Sequence, residues 1–440
     1  MTAFGYTEGE YRLFRSNAWR YLLLFSLLYC FLYCTRLNLS NAGAVMIRDL
    51  GWSKADFGVL TGALFWAYGV GQLVNGRISE IVGPGKFVIA SVVLSVAANI
   101  LFSFQTSIVA MAVIWGMNGF FQSMAWTPGV AILTKWWPGK TRGFATGFAH
   151  AFSGFGQATA ILAVALAFKT LPGLGWRAAF ILPAAFPFAL LFVYAVRCRT
   201  SPRRAGLAEY VEDDPARAAV EAEMRGIVST RGKLYPYRYM LANGHFVVWV
   251  VIAFITGLAR YGLVTWIPLY FIDRFGIDVT AGLLGSLSLP FGMGVGTLVV
   301  PWLTDKWCPN DRLPAVVSAA ILGAVSIAGF MMCDPTVGWQ MAVVQILLFT
   351  AGFCIYAING TAWAYATDIG GRVFSGTSSG VLNFAAYMGA AAQSFVYGFL
   401  LSRIGWASVF VSLAVLCAAI AVFGLLGSKS LCSFRLRRAI

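Results

Sequence analysis

Apolar runs about twenty residues long recur from one end of this 440-residue chain to the other, set apart by short polar breaks. A hydrocarbon core of roughly 30 Å takes about 20 residues of helix to cross, so each run predicts a membrane-spanning helix. Six are expected before residue 197, near 18–41, 56–76, 86–104, 107–134, 143–170 and 176–196. Six more are expected after residue 243, near 244–272, 279–302, 313–333, 338–364, 373–401 and 407–427. One long polar stretch interrupts the pattern, "RCRTSPRRAGLAEYVEDDPARAAVEAEMRGIVSTRGKLYPYRYMLAN", whose "PARAAVEAEMRGIV" predicts a short surface helix. The expected fold is therefore an all-α membrane protein of 12 transmembrane helices in two six-helix bundles. Residues 1–197 form the first bundle, 198–243 a central loop, and 244–440 the second bundle with a short tail.

Composition strengthens this reading. Of the residues, 59% are hydrophobic and only 11% charged, where a soluble domain carries about 25% charged. A net charge of +15 would suggest nucleic acid in a soluble protein, but here the charges punctuate the apolar runs. With both termini on the inner side, 24 of the 32 Lys and Arg residues fall on inner segments. That bias satisfies the positive-inside rule and places the termini and the central loop in the cytoplasm. No nucleic-acid partner is expected, and no cleavable targeting segment, since the first apolar run is long enough to span and stay. Eight scattered cysteines and two histidines, with no HExxH or CxxC spacing, offer nothing for a metal or a cofactor, and no enzyme is expected.

The two halves are pseudo-symmetric in sequence. "GWRAAFILPA" at 175–184 recurs as "GWASVFVSLA" at 405–414, and Arg142 and Arg372 each precede their Gly-Trp by 33 residues. "GRISE" at 76–80 matches "PWLTD" at 301–305, pairing Glu80 with Asp305. Two arginines interrupt apolar runs: Arg36 in "LLYCFLYCTRLNLSNAG" and Arg260 in "VIAFITGLARYGLVTWIPLYF". They stand 224 residues apart, at equivalent positions of the duplicated unit. Paired positions facing a central cleft are how repeat-built transporters form a site at the membrane midplane.

An arginine at a helix centre costs about 2.5–3.5 kcal/mol on insertion scales and persists where it faces a wet cavity or a partner. No Asp or Glu lies in mid-span, so the expected partner is an anionic cargo. The guanidinium fork matches a phosphoryl group in bidentate fashion. His150, eight residues into span five, is a candidate for a further positive charge that switches near neutral pH. Tyr29 and Tyr33 share a helix face with Arg36 and are candidates for the cavity wall. Gln122, Asn359 and Asn383 are polar cavity candidates, for which interhelical hydrogen bonding is the competing role. Glu80, Asp305, Arg142 and Arg372 are expected to form a charge network at the inner ends of the spans. The glycines of "GMGVG" (292–296) and "GFATGFAHAFSGFG" (143–156) predict close helix approach.

The chain resembles the major facilitator superfamily, and within it the organophosphate:phosphate antiporters. "GRISEIVGPGK" is similar to the superfamily loop between spans two and three. "NGFFQSMAWTPGVAILTKWWPGKTRG" (118–143), "FAHAFSGFG" (148–156) and "LARYGLVTWIPLYF" (258–271) resemble the antiporters' spans four, five and seven. The resemblance implies the major facilitator fold. It also implies that Arg36 and Arg260 hold the phosphoryl group, with His150, Tyr29, Tyr33, Tyr68, Tyr356 and Tyr387 around the substrate. Leu37 and Gln72 stand where glycerol-phosphate members carry lysines, and Thr265 stands for an aspartate of span seven. The expected activity is exchange of an organic phosphate ester for inorganic phosphate by alternating access, in a monomer, in a bacterial inner membrane. Symport of organic carboxylates with cations and a sugar-phosphate receptor are the alternatives.

Overall fold

The computed structural model describes residues 6–137, 139–208, 226, 230–231, 235–307 and 311–438. Within them, twelve helices are long and apolar enough to cross a membrane. Spans one to six are Glu8–Leu50, Lys54–Asn75, Pro84–Ser103, Ile108–Trp136, Phe144–Thr170 and Pro172–Arg197. Spans seven to twelve are Gly244–Phe275, Val279–Thr304, Leu313–Met331, Gly338–Ala366, Thr377–Arg403 and Trp406–Gly427. The protein is an integral membrane protein, and large apolar side chains such as Phe192 and Val325 stand exposed on its flanks where lipid would lie. Twelve crossings put both ends of the chain on one side, called here the terminal side; the opposite side is the far side.

Most expected spans fall where the apolar runs lie, and the differences have local causes. Span one begins ten residues earlier than expected, at Glu8, because Thr7 and Glu10 close a reciprocal capping box around the helix start. Ser53 and Asp56 do the same for span two. Between spans ten and eleven, helical hydrogen bonding continues from Gly338 to Arg403 where a loop was expected. The chain nonetheless turns back there, since the Ser378 hydroxyl donates to the carbonyl of Ala366 at 2.7 Å. The helix expected at "PARAAVEAEMRGIV" and the side chains of Glu80, Arg142, Asp305 and Arg372 lie outside the described residues.

The duplication is visible in the packing. In the first half Phe102 stacks on Phe180 at 4.5 Å, with Trp176 edge-on at 5.8 Å. In the second half Phe330 meets Phe410 at 5.2 Å, with Trp406 at 6.3 Å. The glycine preceding each tryptophan takes a positive φ, Gly175 at 53° and Gly405 at 108°. Only a residue without Cβ enters such a turn at little cost, and this explains the repeated Gly-Trp.

Small residues bring the halves together. Span two lies against span eleven, where any side chain on Gly58 would strike the Ser394 carbonyl. Span five lies against span eight, where a methyl on Gly154 would sit 2.6 Å from the Gly294 Cα. The "GMGVG" run divides its glycines: Gly292 and Gly296 admit the carbonyls of Phe349 and Phe353 in span ten, and Gly294 faces the Phe155 ring of the other half. On the far side Lys54 pairs with Asp273 at 2.8 Å, and the Trp406 indole donates to the same carboxylate at 2.6 Å. We predict that Gly154→Leu costs about 1–3 kcal/mol of stability through overpacking. Gly147→Leu, on the same helix with nothing within 4 Å, is expected to be close to neutral. Thermal unfolding in detergent compares the two.

Candidate functional site

The site begins with a broken helix. Span one runs as an α-helix from Glu8 to Leu32, tightens into a 3-10 turn over Tyr33–Thr35, and resumes at Asn38. Arg36 sits in the break, with φ −114° and ψ −47°. A break inside a membrane frees backbone groups that lipid cannot satisfy, so the protein must. Asn99 and Asn118 both donate to the Thr35 carbonyl, at 3.1 and 2.8 Å. Gln122 donates through Nε2 to the Leu32 carbonyl at 3.2 Å, and to the Thr35 and Ser95 hydroxyls at 2.9 Å each. With its nitrogen so committed, Gln122 presents Oε1 to Arg36 Nε at 2.7 Å. Gln122 thus stands behind Arg36 and orients it.

Each guanidinium lies against tyrosine rings. Arg36, 2% exposed, has its Cζ 4.5 Å from the Tyr33 centroid, 4.6 Å from Tyr68 and 5.8 Å from Tyr29. Arg260, 6% exposed, lies 4.4 Å from Tyr356 and 4.6 Å from Tyr261. The hydrogen bonds cross between the halves in reciprocal fashion. Arg36 Nη1 donates to the Tyr387 hydroxyl at 3.2 Å, and Arg260 Nη2 donates to the Tyr33 hydroxyl at 3.3 Å. Tyr261 also donates to Tyr387, at 3.2 Å, which joins both sets. Arg36 Nη2 and Arg260 Nε have no partner. Among the described residues the ion pairs are Arg12 with Glu8, Arg48 with Asp49, and Lys54 with Asp273, and none includes either buried arginine.

The energy of this arrangement is unbalanced. Burying a charge costs several kcal/mol even after relaxation, while a desolvated cation–π contact returns about 2 kcal/mol. Aromatic faces and neutral hydroxyls soften the penalty without supplying a counter-charge. Two adjacent, unpaired cations with free N–H groups attract an anion.

A narrow cavity lies beside them. Tyr29, Tyr33, Tyr68, His150, Arg260 and Tyr387 line it. Arg36, Tyr356 and Gln122 stand one layer back. Tyr356 accepts a short hydrogen bond from Gln157 of the opposite half. His150 shares a hydrogen bond between Nε2 and Asn359 Nδ2 at 3.0 Å, and its Nδ1 has no partner. The Trp126 and Trp363 rings lie 5.3 and 5.8 Å from its ring. Asn359 and Asn383 both reach the cavity wall. Of the eleven residues expected at the cavity, eight lie in its wall, and Arg36, Tyr356 and Gln122 stand behind it. Trp126, Tyr261 and Trp363 belong to it and were not foreseen as site residues. The position next to Arg260 was a usable signal for Tyr261, whereas Trp363 reads in sequence like any interface aromatic.

Comparison with known proteins places this geometry in a family. Residues 25–394 match the Major Facilitator Superfamily. The chain belongs to that superfamily. It is 28% identical to the "Probable hexose phosphate transport protein" of Chlamydia pneumoniae, over 92% of this chain and 90% of the relative. It is 26% identical to the glycerol-3-phosphate transporter of Bacillus subtilis, over 86% and 85%. It is 25% identical to the membrane sensor protein UhpC of Escherichia coli, over 93% and 91%. A solved bacterial homolog of the human lysosomal transporter Spinster has the same fold, with a TM-score of 0.74 at 17% identity over 96% of this chain and 98% of that one.

In this major facilitator the orientation of Arg36 depends on a side chain that never meets the cavity. Gln122→Leu strips Nε of its acceptor and the Leu32 carbonyl of a donor. We predict a loss of about 1.5–3 kcal/mol, the range for buried hydrogen bonds to charged groups, read from thermal unfolding.

Proposed function

We propose that this protein is a secondary transporter that exchanges an organic phosphate monoester for inorganic phosphate by alternating access. One observation carries the reading: two buried arginines, one from each half, meet at one cavity, Arg260 in its wall and Arg36 one layer behind, with no ion-paired carboxylate on either of them among the described residues. A dianionic phosphoryl group supplies the missing charge. Its oxygens compete with the Tyr387 and Tyr33 hydroxyls for the guanidinium N–H groups, so that the cargo takes over the bonds that tie the halves together. A phosphate pairs opposite charges and accepts two parallel bonds from one guanidinium, where a neutral phenol accepts one, which favours this replacement. The similarity to hexose phosphate and glycerol-3-phosphate transporters supports phosphoryl recognition.

In this proposal the two bundles, 1–197 and 244–440, rock as units about the site, with 198–243 as the connecting loop. His150, Tyr29, Tyr33, Tyr68, Tyr356 and Tyr387 complete the binding constellation, and Gln122 positions Arg36. Glu80, Asp305, Arg142 and Arg372 act as the inner charge network. The terminal side is cytoplasmic, in keeping with the basic bias of its segments. The protein acts as a monomer in a bacterial inner membrane.

Similarity to a membrane sensor favours a second reading, in which the same site binds sugar phosphate and reports it without appreciable flux. Counterflow in proteoliposomes preloaded with inorganic phosphate separates the two. Uptake of a labelled phosphate ester driven by internal phosphate supports exchange, binding without uptake supports the sensor, and absence of any phosphate effect overturns both. Arg36→Lys keeps the charge and loses the fork, and is expected to lower exchange at least tenfold, about 1.4 kcal/mol.

A further inference from the structure

Of the three ion pairs named above, only Lys54 with Asp273 joins the two halves. It lies on the far side, where span two begins and span seven ends. Helix packing sets its place. A methyl on Gly398 of span eleven would sit 2.9 Å from the Lys54 carbonyl, so a bare glycine there lets span two begin against the second half. The Trp406 indole turns Asp273 toward the lysine. It donates to Oδ2 at 2.6 Å, the same oxygen that Lys54 Nζ meets at 2.8 Å. The indole is packed in turn against the Tyr270 and Phe410 rings, at 5.1 and 6.3 Å, and its own centroid lies 5.4 Å from Nζ. The second half thus presents a carboxylate and an aromatic face to one ammonium of the first half.

The duplicated scaffold does not require this contact. Asp49 is the counterpart of Asp273, 224 residues earlier, the offset that separates Arg36 from Arg260. It bonds Arg48 of its own helix at 3.0 Å. The helix that matches span two opens on Val279, where span two opens on Lys54. Among the described residues the cross-half pair therefore exists at one of two equivalent places.

Resting on the alternating access proposed above, we propose that Lys54, Asp273 and Trp406 form a latch that holds the far side closed and sets the balance between the two facings of the carrier. Opening the far side draws the start of span two away from the end of span seven and the start of span twelve. Lys54 must then leave both its carboxylate and its ring. The side chains of Lys54 and Asp273 are 24% and 36% exposed, which suits a bond that breaks and re-forms. Water solvates each charge as they part, whereas charges sealed inside the bundle separate only at a large desolvation cost. Two conformations of similar free energy are redistributed several-fold by the loss of one such contact.

The test uses Ile161→Cys as a reporter, at a buried position lining the small far-side cavity between spans one, five, seven and eight. An impermeant thiol reagent is applied to the far side of vesicles, and labelling is counted above that of the chain without the reporter. Lys54→Gln and Asp273→Asn are each expected to speed labelling about three- to tenfold, the scale of a half-exposed ion pair with its ring contact. The double variant is expected to exceed neither single one, because both remove the same bond. Trp406→Phe keeps a ring, loses the donor, and is expected to give a smaller increase. Unchanged labelling in both single variants overturns the latch, and additive increases overturn the pairing. Labelling that rises only as far as thermal stability in detergent falls marks loosened packing, and overturns the latch as well. The labelling needs no cargo, so it is judged apart from transport. If it responds while inorganic phosphate drives no counterflow, the exchange reading falls and the latch stands. If counterflow persists and labelling does not respond, the latch falls and the exchange reading stands.

Discussion

Everything at the centre of this protein answers to two permanent positive charges buried in the bundle with no ion-pair partner among the described residues. A guanidinium stays protonated at any physiological pH. The chain spreads the cost over groups that interact with cations and remain neutral: tyrosine faces, tyrosine hydroxyls and one glutamine oxygen. Because each arginine bonds a tyrosine from the opposite half, the same bonds that quiet the charges also hold the halves together. Charge compensation and closure are thus one set of contacts, and a ligand that alters the first alters the second.

The scaffold around the charges is built to allow this. Glycine seams between spans two and eleven and between spans five and eight let backbones of opposite halves touch. Packing of this kind is close but carries few directional bonds, which suits surfaces that separate and meet again, as the proposed alternating access requires. The directional bonds are gathered at the arginines, at the Gln157–Tyr356 and His150–Asn359 pairs beside them, and at the far-side group of Lys54, Asp273 and Trp406.

Much of this was legible in the sequence, for identifiable reasons. Membrane spans announce themselves because the bilayer demands length and apolarity together. The duplication was readable because Gly-Trp marks a positive-φ turn that tolerates little substitution, and Gly175 and Gly405 adopt it. The arginines stood out as charges in apolar runs. Less legible were features that depend on which span faces which. Thr35, Ser95, Asn99, Asn118 and Gln122 are scattered over three spans, and nothing in their spacing says that they converge on one helix break. Gln122 was readable as a cavity residue, but its orienting role follows from where its nitrogen is spent. Helix ends were misjudged where caps outrank hydropathy, as at Thr7.

The two arginines are equivalent by duplication and unequal in support. Arg36 sits on a backbone break whose carbonyls are tied down by three other side chains, and its Nε is fixed by Gln122. Arg260 lies in the uninterrupted helix Gly244–Phe275, and its Nε has no partner. Among the described residues the Tyr33 hydroxyl and two ring faces hold it. Moving Arg36 means disrupting a network in which most members share more than one bond, whereas moving Arg260 gives up one hydrogen bond and two ring contacts and leaves the backbone intact. The first half therefore provides a rigid reference point, and the second half provides the arginine that adjusts. For the exchange proposed above, such a division would meet a requirement that two equally rigid arginines would not: one guest could be held from both sides while the distance between the sides changes.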